Sequence, residues 1–173
     1  MQGQEPEIDP HLFRRVMGRF ATGVTVVSTA FEGQVHSMTA NAFLSGSLEP
    51  PLCVISVAKK SHMHDLLART RHFAVSMLAE DQQRYSSHFG GRPVEGWTPS
   101  FDYVGETPLL ADRMAAIVAR VSAIHSCGDH SLFVGAISHM SAAGESRPLV
   151  YHAGRYAALT HPRGLDLPTP EFW

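Results

Sequence analysis

Apolar and polar positions change period several times along this chain, and each change marks an element. From Asp9 to Phe20 the apolar residues Leu12, Phe13, Val16, Met17 and Phe20 fall three and four apart, the spacing of one helix face. Asp9 is placed to cap that helix, Pro10 to open it and Gly23 to stop it. The β-branched run Thr22 to Thr29, with Val24, Val26 and Val27, then reads as a strand that turns at Glu32-Gly33 into a hairpin to Val35. Asn41 to Leu48 is expected as a further strand, broken at Gly46 and closed by Pro50-Pro51, and Leu52 to Val57 as the next. Met63, Leu66 and Leu67 form a short helical stretch begun by Ser61, and Phe73 to Leu78 returns to strand character. Asp81 is expected to cap a helix reaching Phe89.

Gly90 to Thr107 has no period and is rich in Gly, Pro and aromatics, which predicts a loop, with Gly105 to Leu110 as its exit. Ala115 to Ser126 and Ser131 to Met140 make a long hairpin across Cys127-Gly128-Asp129-His130, and Leu149 to Tyr151 with Arg155 to Leu159 make a last one across His152-Ala153-Gly154. His161 to Trp173 reads as a tail, so residues 1–173 form a single domain, with barrel and helices over 9–160. Many strands at hairpin spacing with no βαβ alternation predict a mainly β fold, an antiparallel barrel with helical additions. No GxGxxG, P-loop, HExxH or GxSxG motif is present, so a nucleotide would have to bind by another route.

Composition narrows the partners. The charged fraction of 17% lies below the roughly 25% of an ordinary soluble domain, which points to a buried subunit interface. A net charge of −2 with scattered Lys and Arg leaves no basic stripe for nucleic acid. No apolar run approaches a membrane span and the first residues lack the pattern of a signal peptide, so a cytoplasmic protein is expected. Cys53 and Cys127 belong to no CxxC pair and are expected as reduced, packed thiols.

Small and hydroxyl-bearing residues dominate Ser37 to Ser45. They leave backbone groups accessible to a planar polar ligand such as an isoalloxazine ring; the alternative is a polar strand edge with Asn41 in a turn. Ser56 to Ser61 sets Lys59, Lys60 and a hydroxyl where a strand enters a helix N-terminus, a phosphate site or a solvated turn with an N-cap. His130, at the tip of the long hairpin, faces either a cofactor edge or solvent. Tyr151, Arg155 and Tyr156 offer a phosphate partner and stacking rings, or plain cross-strand packing. His62-Met63-His64 is the nearest approach to a metal cluster among 11 histidines, but an i, i+2 pair on a helix points to different faces, so no metal is assigned.

Four segments in order carry a resemblance: Phe20 to Val27 with Val35 to Phe43, Ser45 to Pro51, Gly128 to Gly135, and Pro148 to Tyr156. Over nearly the whole length the chain resembles the flavin reductase-like family, the FMN-binding split-barrel reductases of two-component flavin-dependent monooxygenases. The resemblance implies a six-stranded antiparallel Greek-key split β-barrel that forms a homodimer with flavin near the interface. It implies an NAD(P)H:flavin oxidoreductase, taking NADH or NADPH and FMN or FAD, that supplies reduced flavin to a separate monooxygenase. Transferred by motif, Thr39, Ala40, Asn41, Ala42, Phe43 and Ser45 surround the ring and ribityl chain, and Ser56, Lys60 and Ser61 face the phosphate. Phe89 lies near the flavin, and His130, Arg155 and Tyr156 near flavin or nicotinamide, with His130 the catalytic-site residue that positions the nicotinamide. Ser37 and Gly46 stand where relatives often have glycine and valine. A non-catalytic flavin-binding module and a metal- or haem-associated barrel are the competing readings.

Overall fold

The computed structural model describes residues 8–144 and 146–160, so the expected tail 161–173 lies outside the described residues. The first helix, α1 (Pro10–Met17), is opened by Asp9, whose carboxylate accepts from the His11 and Leu12 amides at 3.1 Å. It ends earlier than its apolar spacing predicts. Gly18 N–H closes on Arg14 O, and turns at Arg19 and Phe20 leave Gly23 in a strand. The strands that follow are β1 (Thr22–Gly23), β2 (Thr25–Phe31), β3 (Gln34–Ala40), β4 (Phe43–Ser47) and β5 (Leu52–Ala58). β2 and β3 turn through Glu32 and Gly33, at φ 51° and 75°, the left-handed pair of a tight hairpin.

Helix α2 (His62–Thr70) starts at Ser61, whose Oγ accepts from the Met63 amide, and stops at Arg71 in the left-handed region. Next come β6 (His72–Met77) and α3 (Gln83–Phe89). Gln82, not Asp81, precedes α3: its side chain ties the Ala79 amide to the Asp112 carbonyl and orders the turn, while Asp81 stays exposed. The expected loop 90–107 holds a strand, β7 (Phe101–Val104), which pairs with β8 (Thr107–Leu110) across Gly105, whose φ of 59° makes so short a turn feasible. The long hairpin is β9 (Ala115–Cys127) and β10 (His130–Ala142), and the last is β11 (Val150–His152) and β12 (Arg155–Ala157).

The main sheet has seven strands in the order β3-β2-β6-β9-β10-β5-β4, all pairs antiparallel. Its two outer strands, β3 and β4, are neighbours in sequence, joined only by Asn41 and Ala42. Three Cα steps reach about 11 Å at most. The sheet must therefore curl until its edges meet, and Asn41-Ala42 forms the seam. Sequence periodicity had placed both residues inside a strand; instead they leave the ladder, and only the Ala42 carbonyl is taken, by the Ser56 amide at 3.1 Å.

Inside the curl, Val27, Ile55, Phe73, Val75 and Phe133 are fully buried, and α2 closes one end with Met63 and Leu67. Gly135 sits where β9 and β10 slip register, and a Cβ there would meet Phe73 Cζ at 2.7 Å and Ala119 Cβ at 2.8 Å. Cys53 is buried against this glycine, and desolvation pushes its thiol up to about 11. Cys127, expected to be packed, is exposed at the end of β9, where the hairpin projects past the core. A second cluster joins Val24, Val26, Leu78, Leu110 and Leu149 under α3. No helix among the described residues is long and apolar enough to cross a membrane.

Candidate functional site

At the seam, the outward face of β3 meets α3 and the last hairpin. Met38 and Ala40 point to the core, so the strand's alternation sends Thr39 the other way, toward α3. Thr39 Oγ1 donates to the Ser86 carbonyl at 2.7 Å, and Tyr156 OH donates to Ser86 Oγ at 2.9 Å. Ser86 is buried, so this small network fixes β3, α3 and β12 around one point.

The same elements enclose a cavity of about 390 Å³. Thr39, Ala40 and Asn41 form one wall; Ser86, Ser87, Gly90 and Arg92 the second; Val24, Tyr151, Gly154 and Tyr156 the third. Among the described residues no carboxylate lines it and Arg92 is the one charged side chain, so the electrostatics favour an anion. The Asn41 side chain is exposed and bonds to nothing among the described residues, while Tyr151 and Tyr156 stand at 5.8 Å and 66° to each other. Small walls, unspent amide groups and two phenol rings fit a flat ligand with hydrogen-bonding edges, which is what a flavin requires. Ser37 Oγ, on the same face of β3 as Thr39, is buried without a partner among the described residues.

The other residues singled out in the sequence gather at a second place. Ser56, whose amide holds the seam, lies opposite Leu132, and His130 lies opposite Ala58. Lys59 is spent on structure: its amide takes the Asp129 carbonyl and its Nζ the Gly128 carbonyl and Ser126 Oγ, fastening the hairpin tip. Lys60 makes no such bond and lies close enough to favour the Asp129 carboxylate. His130 Nδ1 is 2.7 Å from Asp129 Oδ1, and this bond, chiefly, holds the Asp129 carboxyl below its ordinary range. His62 packs edge-on against His36 at 5.5 Å, and His64 Nε2 meets Ser131 Oγ at 2.9 Å.

Thus Thr39, Ala40, Asn41 and Tyr156 meet in the cavity, and Ser56, Lys60, Ser61 and His130 flank the hairpin tip, with Ala42 between. Phe43 turns to the core, Ser45 is exposed on β4, Arg155 is exposed on β12, and Phe89 packs into the cluster under α3. Ser86, Ser87, Gly90, Arg92 and Gly154 were missed as cavity residues. The small pair Ser86-Ser87 was the available sign, but on a short helix it reads as ordinary surface.

A curled antiparallel sheet whose seam opens onto a polar, carboxylate-free slot belongs to the class of β-barrels suited to an anionic, ring-bearing cofactor. Residues 17–160 match the model of the flavin reductase like domain. The chain is 38% identical over 158 residues to an NADH-dependent flavin reductase of a Rhodococcus species, covering 90% of this chain and 89% of that one. It is 36% identical over 150 residues to the reductase component of 4-hydroxyphenylacetate 3-monooxygenase of Thermus thermophilus, with 87% and 97% covered. Among solved structures, the flavin reductase PheA2 superposes with a TM-score of 0.86 at 38% identity, over 89% of this chain and 100% of that one. The chain belongs to the flavin reductase-like family.

Proposed function

We infer that this protein is an NADH-dependent flavin reductase, working as a single-domain cytoplasmic homodimer that delivers reduced FMN or FAD to a separate monooxygenase. The observation that carries the reading is the slot at the seam, in a chain of this family: small walls, free amide chemistry at Asn41 and no carboxylate. Flavin, when bound, supplies the two-electron acceptor for hydride from the nicotinamide. The chain's own part is orientation and charge. Thr39, Ala40, Asn41 and Ala42 present backbone groups to the ring, with Phe43 and Ser45 beyond them, and amides at the seam favour negative charge on the reduced ring. Ser56, Lys60 and Ser61 hold the phosphate at the start of α2. His130, held by Asp129, and the Arg155-Tyr156 pair orient the nicotinamide; Phe89 shapes the slot from below. No side chain is required as a proton donor, and NADPH is accepted as an alternative only as far as its extra phosphate is met.

Six strands, β2, β3, β5, β6, β9 and β10, are the staves of a Greek-key split barrel in this reading, with β4 as the flap that carries the seam. The apolar face of α1, with Leu12 43% and Phe13 55% exposed, supports dimerisation through that helix.

The test is NADH and NADPH oxidation by purified protein with and without FMN, FAD and riboflavin. Rapid flavin-dependent turnover is expected, with kcat/KM for flavin lowered about tenfold in Asn41→Ala and KM for NADH raised in His130→Ala, on the order of one lost hydrogen bond each. Tight flavin binding without turnover would overturn the reading in favour of a non-catalytic flavin module.

A further inference from the structure

We propose that Arg14, Arg15 and Arg19, with the turn Ala153-Gly154, form a phosphate subsite for the adenosine half of a dinucleotide. The proposal rests on the flavin reductase reading and extends its site. On α1, Arg14 and Arg15 lie opposite Leu12, Phe13, Val16 and Met17, and the helix buries none of its residues. It is nevertheless turned inside out for a lone chain: the apolar face looks outward, whereas the arginine face is drawn against its own last hairpin. The Ala153 amide donates to the Gly18 carbonyl at 2.7 Å, which pins it there.

Between helix and hairpin is a cavity of about 410 Å³ lined by Arg14, Arg15, Gly18, Arg19, Ala153 and Gly154. Among the described residues no carboxylate lines it, and no ion pair or side-chain hydrogen bond occupies any of the three guanidinium groups. Basic residues near a helix C-terminus also complement its dipole. That accounts for Arg14 and Arg15, but not for Arg19, which lies beyond the helix, nor for the convergence of all three on one hollow. Like charges gathered without a counter-charge are eased by an anion, and planar guanidinium forks match phosphate oxygens.

Gly154 ties this hollow to the flavin slot, because it lines both cavities. Its φ is 79°, and nothing lies within 4 Å of where a Cβ would stand, so the passage over the turn is open. A ligand with its ring in the slot can therefore extend over Gly154 and set a phosphate among the arginines. The phosphate belongs either to the pyrophosphate bridge, present in NADH, NADPH and FAD, or to the 2′-phosphate found in NADPH alone.

Calorimetric titration with ADP and with adenosine 2′,5′-bisphosphate tests this without relying on turnover. Both are expected to bind the wild-type dimer, and about tenfold more weakly to Arg15→Gln/Arg19→Gln and to the single variant Arg19→Gln, which leaves α1 intact. Binding of ADP tighter than or equal to that of the bisphosphate assigns the pyrophosphate bridge with its 5′-phosphate, with KM raised for NADH, NADPH and FAD but not for FMN or riboflavin. Much tighter binding of the bisphosphate assigns the 2′-phosphate, with KM raised for NADPH alone. No binding to wild type, or equal binding to both variants at unchanged dimer mass, overturns the subsite. Absence of NADH turnover alongside arginine-dependent nucleotide binding would instead overturn the reductase reading and leave the subsite standing.

Discussion

Helices α1 and α2 are nearly the same length and equally plain in their apolar spacing, yet their fates differ. α2 sinks Met63, Leu66 and Leu67 into the end of the curled sheet, at 5%, 2% and 0% exposure. α1 buries nothing and holds Val16 and Met17 at 58% and 56% exposure. Amphipathic spacing says that a face has to be covered; it does not say by which chain. α2 is covered by its own barrel and sets the stability of the protomer. α1 is anchored through its polar side, and its apolar face is left uncovered by its own described residues.

The largest expected effect lies on the α2 side. Leu67→Ala removes a fully buried side chain from a core that includes Phe73 and Phe133, and should cost about 3 kcal/mol in urea unfolding, with the denaturant midpoint lowered. A cost below about 1 kcal/mol would mean that α2 is loosely docked and the contrast is false. Phe13→Glu sharpens the other side. Sedimentation should show monomer in place of dimer, with far-ultraviolet dichroism unchanged, because the side chain touches no core of its own protomer. Retention of the dimer would place the interface elsewhere.

The same contrast explains how much the sequence disclosed. Strand alternation is enforced by a core within one chain, so β5 and the long β9–β10 hairpin were legible to within a residue or two, as was the cap at Ser61, while the β2–β3 hairpin was legible in its turn but not in the ends of its strands. Thr39, Ala40 and Asn41 stood out within the small, hydroxyl-bearing run Ser37 to Ser45, and the family resemblance, not the strand period, gave them their place around the ring. The second wall of the cavity was hidden. Ser86, Ser87, Gly90 and Arg92 reach the slot only because α3 packs over Val24 and Leu149, a contact between segments far apart in sequence. Arg14, Arg15 and Arg19 read as scattered charge until the Ala153-Gly154 turn was seen beside them. The end of α1 was misjudged because Phe20 continues the apolar spacing, while local hydrogen bonding at Gly18 ends the helix three residues past Arg15.

The smallest expected effect is the most discriminating, because it changes the two helices in the same way. Asp9 caps α1 and Ser61 caps α2, each by accepting from amides of the first turn. Replacing either by alanine removes about 1 kcal/mol of helix stability. For Ser61→Ala, without added flavin, that loss belongs to the protomer, and the unfolding free energy should fall by about this amount at every protein concentration. For Asp9→Ala, if the proposed dimer forms through α1, dimer dissociation should rise roughly fivefold while protomer stability at high dilution stays unchanged. Thermal unfolding followed over a hundredfold dilution range, with dissociation measured by sedimentation, separates the two. An Asp9→Ala cost that persists undiminished in the dilute monomer would show that α1 is part of its own chain's cooperative core, and that its exposed apolar face is not what holds two copies together.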